Sequence, residues 1–394
     1  MDETMRLHIL RRTRILPVLC VSLLVSSSTV CAQTSPREQF EDLARRASAA
    51  LDTHPEEATG LFKQALALQP AWAEGWLSLG GALYQLNRYA EATDALRKGV
   101  ELAPSIGTGW ALLGLSESQL QDQDQALADI AKGESLGFGG HDQFEIAVRA
   151  RAAQILIQSS SFDEALAQLQ PLWKKPGTPP VTGMLMGLCA LALPVDVAQL
   201  PDKQRPLVDL AGKAAWAVSS QHPGEAAAAY KQLLDEYPNE PGVHYAYGLY
   251  LMESDLNAAL AEFQKEIQID PKHWPALLAK ASLEIRQGTP DAAMQTLHNA
   301  MTLVPSKYHW ICHSDLGRAD LDLNQPAAAV TELEAAVRQK PANANLHFFL
   351  AQAYRRAGRK ADAEKEQGEF EKMKAQQDPM GVPALRPFGD AGKN

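Results

Sequence analysis

Trp76 and Trp110, Leu79 and Leu113, Gly80 and Gly114, Ala92 and Ala126, and Pro70 and Pro104 all stand 34 positions apart. Self-similarity at a fixed period of this size marks a supersecondary unit built many times over, so the chain grows by addition rather than around one central core. Within the unit starting at residue 73, Trp76, Leu79, Gly80, Leu83, Tyr89, Ala92, Leu96 and Pro104 fall at positions 4, 7, 8, 11, 17, 20, 24 and 32. The small residue at 20, the apolar one at 24 and the proline at 32 recur as Ala58/Phe62/Pro70, Ala226/Tyr230/Pro238, Ala259/Phe263/Pro271, Ala293/Leu297/Pro305 and Ala329/Leu333/Pro341. A last copy carries Leu350, Ala351, Tyr354, Gly358 and Ala363, and a weaker one Phe162, Ala165 and Leu169, giving about nine units over residues 38–375.

Apolar residues three and four apart lay a stripe along one side of a helix, and two such helices joined by a short turn make an antiparallel pair. The small residues let the two helices approach closely, and the prolines stop the second helix because proline has no N–H and disfavours helix in the residue before it. One pair leaves apolar surface bare until the next stacks on it. The spacing therefore predicts an all-α stack of helix-turn-helix units. Its register is uneven: Pro238 to Pro271 is one short of the period and Pro305 to Pro341 two long, which predicts altered turns. The interruption is Pro176 to Pro206, with the apolar run Met184–Leu193. At about ten residues this run is too short to span a bilayer, which needs ~20, and reads as a buried helix of a degenerate repeat.

These motifs resemble the tetratricopeptide repeat. The resemblance implies a right-handed superhelical α-solenoid of about nine repeats that binds a protein or peptide in a concave groove lined by the first helices, at repeat positions 2, 5, 9 and 12. Carried over by phase, the groove residues are Leu77, Tyr84, Leu115, Tyr245, Leu249, Met252, Leu278, Ile285, Arg318, Phe348, Gln352 and Arg355. Members that clamp a peptide carboxylate carry Lys at position 5 and Asn at 9. Here those places read Leu77/Gly81, Tyr245/Leu249, Leu278/Ser282 and Phe348/Gln352, so apolar capture of an extended or helical partner is expected instead. The same apolar surface could also serve self-association into homo-oligomers.

The N-terminus stands apart. Arg6, Arg11, Arg12 and Arg14 precede an apolar run from Ile15 to Val25, then Ser-rich residues and Val30-Cys31-Ala32. A basic stretch, a short apolar stretch and small residues before a cut are the parts of a secretory signal, with cleavage expected after Ala32. The run of about 11 residues is short for a membrane anchor. Neither Cys20 nor Cys31 follows the Leu-small-small pattern of a lipobox, and Arg14 departs from twin-arginine signals. The expected organisation is a signal at 1–32, an N-terminal array at 33–179, an irregular junction or degenerate repeat at 180–206, a C-terminal array with a capping helix at 207–377, and a disordered tail at 378–394, exported to the periplasm or beyond.

The whole chain carries a net charge of −10, and removal of the signal takes it to about −12. Phosphate neutralisation requires clusters of Lys and Arg, and no basic block lies outside the signal, so nucleic acid is not an expected partner; the apolar run is too short for an integral membrane span after cleavage. Cys189 and Cys312 remain as two isolated cysteines and make no disulfide framework.

One cluster suggests chemistry. His309-Trp310-Ile311-Cys312-His313 resembles a c-type haem attachment motif with its first Cys replaced by His, and two thioethers need two thiols. His309 and His313 could share a helix face, but zinc takes three or four ligands and no second pair lies nearby in sequence. No Gly-rich phosphate loop, Gly-x-Ser-x-Gly elbow or His-Glu-x-x-His pair is present. The sequence thus gives no catalytic, cofactor or metal residues, and the expectation is a non-enzymatic adaptor, with a self-associating structural protein and a metal- or haem-carrying helical protein as alternatives.

Overall fold

A computed structural model of the chain describes residues 35–172 and 180–377. The signal expected at 1–32 and the tail expected at 378–394 lie outside the described residues. Every regular element among the described residues is helical. The chain divides into two compact units, Met1–Leu185 with Val195–Leu200, and Met186–Pro194 with Pro201–Asn394.

The first unit contains four antiparallel pairs: α1 (Pro36–Ala50) with α2 (Pro55–Leu68), α3 (Ala73–Gln85) with α4 (Tyr89–Leu102), α5 (Gly107–Gln119) with α6 (Gln123–Leu136), and α7 (Asp142–Gln158) with α8 (Phe162–Leu169). Next comes α9 (Pro180–Ala190), which holds the apolar run as far as Ala190; Met186, Leu188 and Cys189 on it, and Leu191 just beyond it, are buried. The second unit contains five pairs: α10 (Arg205–Ser219) with α11 (Pro223–Glu236), α12 (Val243–Leu251) with α13 (Leu256–Ile269), α14 (Trp274–Arg286) with α15 (Pro290–Met301), α16 (His309–Asp322) with α17 (Pro326–Gln339), and α18 (Ala344–Arg356) with α19 (Lys360–Gln377).

Repeat position 8 explains how each pair closes. A Cβ on Gly80 would run into Leu96, and one on Gly114, Gly248 or Gly317 would meet Ile130, Phe263 or Leu333 in the same way. The glycine of the first helix thus receives the large residue at position 24 of the second. Those large residues, with Ala58, Phe62, Ala92 and Ala126, are buried in the cores of their units.

The turn inside the pairs is equally regular. Asn87, Gln121, Ser160, Gln221, Gly288, Asn324 and Gly358 all have positive φ, between +58° and +77°. The next residue's N–H then reaches back to the first helix: Arg88 to Leu83 O, Asp122 to Glu117 O, Ser161 to Leu156 O, His222 to Ala217 O, Thr289 to Glu284 O, Gln325 to Asp320 O and Arg359 to Tyr354 O, at 2.7–3.2 Å. This left-handed closure satisfies carbonyls the helix end would leave orphaned.

The irregular spacings have local causes. The two extra positions before Pro341 accompany a 3-10 turn at Ser306–Tyr308 ahead of α16. In α12 the first helix shortens to nine residues, and Gly242 enters it at φ +88° with its Cα side against the Leu191 backbone, where a Cβ would collide.

Candidate partner-binding surface

The twelve residues expected to line a groove separate by exposure. Tyr84, Leu115, Tyr245, Leu278 and Ile285 are buried, each no more than 7% exposed. They belong to the core, and their assignment to a groove is corrected. Tyr245 illustrates why: its ring lies 4.8 Å from that of His273 and 6.1 Å from that of Phe263, between helices of successive pairs. Positions 5, 9 and 12 of a first helix face solvent only where neighbouring helices leave room, and at these five residues they leave almost none.

The other seven stay accessible. Leu77, in the first unit, is half-buried and packs against Gly99 and Gly109. In the second unit Leu249 on α12, Met252 just past the end of α12, Arg318 on α16 and Gln352 on α18 are half-buried, whereas Phe348 and Arg355 are exposed. Phe348 retains 40% of its surface while touching Phe349 and Phe370, each with ring centroids 5.4 Å away. Arg318 lies over the Phe349 ring at 5.1 Å and pairs with Asp315 at 2.8 Å. Arg355 donates to Gln367 Oε1 at 2.6 Å. These residues place an aromatic and two guanidinium groups on the first helices of the last two pairs.

A second row escaped the groove reasoning because it lies on second helices. Leu68, Leu102 and Leu136 are exposed and stand 34 positions apart at the ends of α2, α4 and α6. Their spacing was readable in the sequence, but their exposure depends on where each helix ends relative to the next pair.

The histidine-cysteine cluster does not converge. His309 Nε2 lies 3.1 Å from Val304 O, His313 Nδ1 lies 2.6 Å from Glu332 Oε2, and Cys312 is fully buried, with burial pushing its thiol up to about 12. Among the described residues no group of three or more His, Cys, Asp or Glu side chains is placed to hold a metal ion.

Buried carboxylates are instead used inside the stack. Glu266, fully buried on α13, accepts from the Gly242 N–H at 2.7 Å and the Tyr245 N–H at 3.2 Å, filling the orphan donors at the start of α12. Glu284 on α14 takes Lys280 at 2.6 Å and the Thr296 hydroxyl at 2.9 Å, tying α14 to α15. Burial, with Asp129 beside it, raises Glu117 to about 7.

The fold defines a helical repeat protein. The tetratricopeptide-repeat model matches residues 39–105, 212–273 and 314–369, and these stretches are tetratricopeptide repeats. A 135-residue stretch, 33% of the chain, is 32% identical to the cellulose synthase operon protein C of Xanthomonas axonopodis pv. citri; it spans only 9% of that relative's length. Among solved structures, MamA 41-end from Desulfovibrio magneticus RS-1 aligns over 45% of this chain and 98% of its own at 20% identity and a TM-score of 0.40. A MamA RS-1 double mutant aligns over 46% and 99% at 19% identity and the same TM-score. No helix among the described residues is long and apolar enough to cross a membrane.

Proposed function

We propose that this protein is a non-enzymatic adaptor or assembly scaffold of the cell envelope that holds a protein or peptide partner on the first helices of its repeats. Protein-interaction scaffolding is the typical role of the family. The observation that carries the reading is the exposed Phe348 and Arg355 with the half-buried Leu249, Arg318 and Gln352 on the first helices of the second unit, and Met252 at the end of α12, which set an aromatic anchor and arginines on or beside helices. The carboxylate-clamp residues are absent at the corresponding positions, so recognition rests on apolar pockets and guanidinium hydrogen bonds along the partner rather than on its terminus. Export is supported by the basic-apolar-small order of residues 6–32. The acidic balance favours protein over nucleic acid.

Affinity capture from an envelope extract tests the reading, comparing the wild-type chain with a Phe348→Glu/Arg355→Glu variant of equal helicity. A protein retained by the first and lost by the second supports an adaptor. Recovery of the bait alone moves the assignment to self-association.

A further inference from the structure

Four junctions between successive repeats share one link. The ring N–H of Trp76 donates to Pro70 O at 2.8 Å, and that of Trp110 to Pro104 O at 2.9 Å. In the second unit His244 Nε2 lies 2.9 Å from Pro238 O and His347 Nε2 lies 2.8 Å from Pro341 O. Each ring stands six residues after the proline that ends the previous repeat and stitches the new first helix to that ending. An indole needs nothing more, since its one polar atom is a donor. An imidazole has a second nitrogen, and here it is occupied. His244 Nδ1 is 2.5 Å from Glu262 Oε2 on α13, and His347 Nδ1 is 2.6 Å from Glu366 Oε2 on α19.

Both histidines and both glutamates are buried. Each ring is therefore held between a carbonyl oxygen, which only accepts, and a carboxyl oxygen. A neutral imidazole carries one N–H and can satisfy one of the two; the other contact would set a nitrogen lone pair against an oxygen lone pair. We propose that His244 with Glu262 and His347 with Glu366 are proton-dependent inter-repeat clamps, each complete only when the pair holds one proton more than a neutral imidazole and an ionised carboxylate. The extra proton bridges Nδ1 and Oε2, leaving Nε2–H for the proline carbonyl. Its loss releases one of the two bonds, and the joint between α11 and α12, or between α17 and α18, loosens. The first unit, which uses indoles at Trp76 and Trp110, keeps those two joints at any pH.

Packed helices bring further charged groups close to these sites. Around His244 they are Glu262 with Lys265 on its other oxygen at 2.7 Å, Glu266 of the same helix, and His273 at the start of α14. At His347 the carboxylate is Glu366, and Arg318 of α16 reaches the ring of the residue two along, Phe349, while paired with Asp315.

Glutamine tests the idea without removing a hydrogen bond. In Glu262→Gln/Glu366→Gln the side-chain amide donates to Nδ1, and a neutral imidazole then satisfies every contact. The ring nitrogens of the full chain, labelled with nitrogen-15, are followed by NMR between about pH 5.5 and about pH 9, across the range in which imidazole changes charge, and melting is followed in parallel. The wild type should show two doubly protonated rings that convert to neutral ones as its melting temperature falls, with the glutamine variant showing single-tautomer rings throughout and a flatter pH dependence. Neutral rings in the wild type at every pH, or a variant whose melting follows the wild-type pH dependence, would overturn the proposal. Should the variant fail to fold, the ring spectra of the wild type alone decide.

Discussion

Exchanging Tyr245 for alanine separates packing from partner contact. The side chain is 4% exposed and its ring lies against Phe263 and His273, so truncation leaves a cavity between α12, α13 and α14 that fixed helices fill only in part. Large-to-small changes of buried aromatics cost about 3–5 kcal/mol, a large share of the roughly 5–15 kcal/mol that holds a folded domain. Phe348→Ala is the matched control. Its ring is already 40% exposed, so the loss is roughly the buried fraction of a full phenylalanine burial, about 1–2 kcal/mol, with little cavity term. Urea denaturation followed by circular dichroism reads both. Because repeat arrays unfold in parts, hydrogen exchange of peptides from α12 to α14 reports where stability is lost. The expected result is a large drop in midpoint and local protection for Tyr245→Ala and a small one for Phe348→Ala. A Tyr245→Ala chain with an unchanged midpoint would refute the burial argument and return Tyr245 to the binding surface.

Gln121→Gly and Gln221→Gly should each stabilise the chain by about 0.5–1 kcal/mol, since both residues hold positive φ that costs a side chain roughly 1–2 kcal/mol and glycine gives part of that back in unfolded-state entropy; thermal melts check it. Gly187→Ala should destabilise by about 2 kcal/mol or more in the same melts, because a Cβ there collides with the Val208 carbonyl, which belongs to a helix backbone and has no rotamer to change. Glu117 is raised from 4.5 to about 7, so the folded chain binds its proton more tightly than the unfolded chain: stability associated with it is complete below about pH 4.5 and declines as pH rises toward 7. Glu117→Gln should therefore melt above the wild type at pH 8 and close to it at pH 4.5, read by melting temperature at the two pH values.

The repeat was legible in the sequence because its constraints are local. A glycine facing a large residue 15 or 16 positions later, and a proline closing most second helices, recur whatever lies beyond the pair. The binding surface was less legible because exposure at first-helix positions depends on the neighbour. Tyr245 and Phe348 share repeat position 5, yet one lies beneath His273 of the next pair and the other stands at the last pair, where no further pair follows among the described residues. The left-handed turns were also hidden: Gln121, Ser160 and Gln221 give no turn signal of their own and are held in place by the Schellman-type bond behind them. His244 and His347 occupy the place of Trp76 and Trp110 in plain sequence, but their carboxylate partners emerge only once the second helix has folded back.

The most direct test of the scaffold assignment is capture of a partner by the full chain from a cell-envelope extract, with Phe348→Glu/Arg355→Glu and an independent Leu249→Glu/Met252→Glu variant as comparisons, all shown to be equally helical. The account predicts one protein recovered at constant ratio by the wild type and reduced in both variants. Equal recovery by all three chains would contradict a partner surface on the first helices of the second unit.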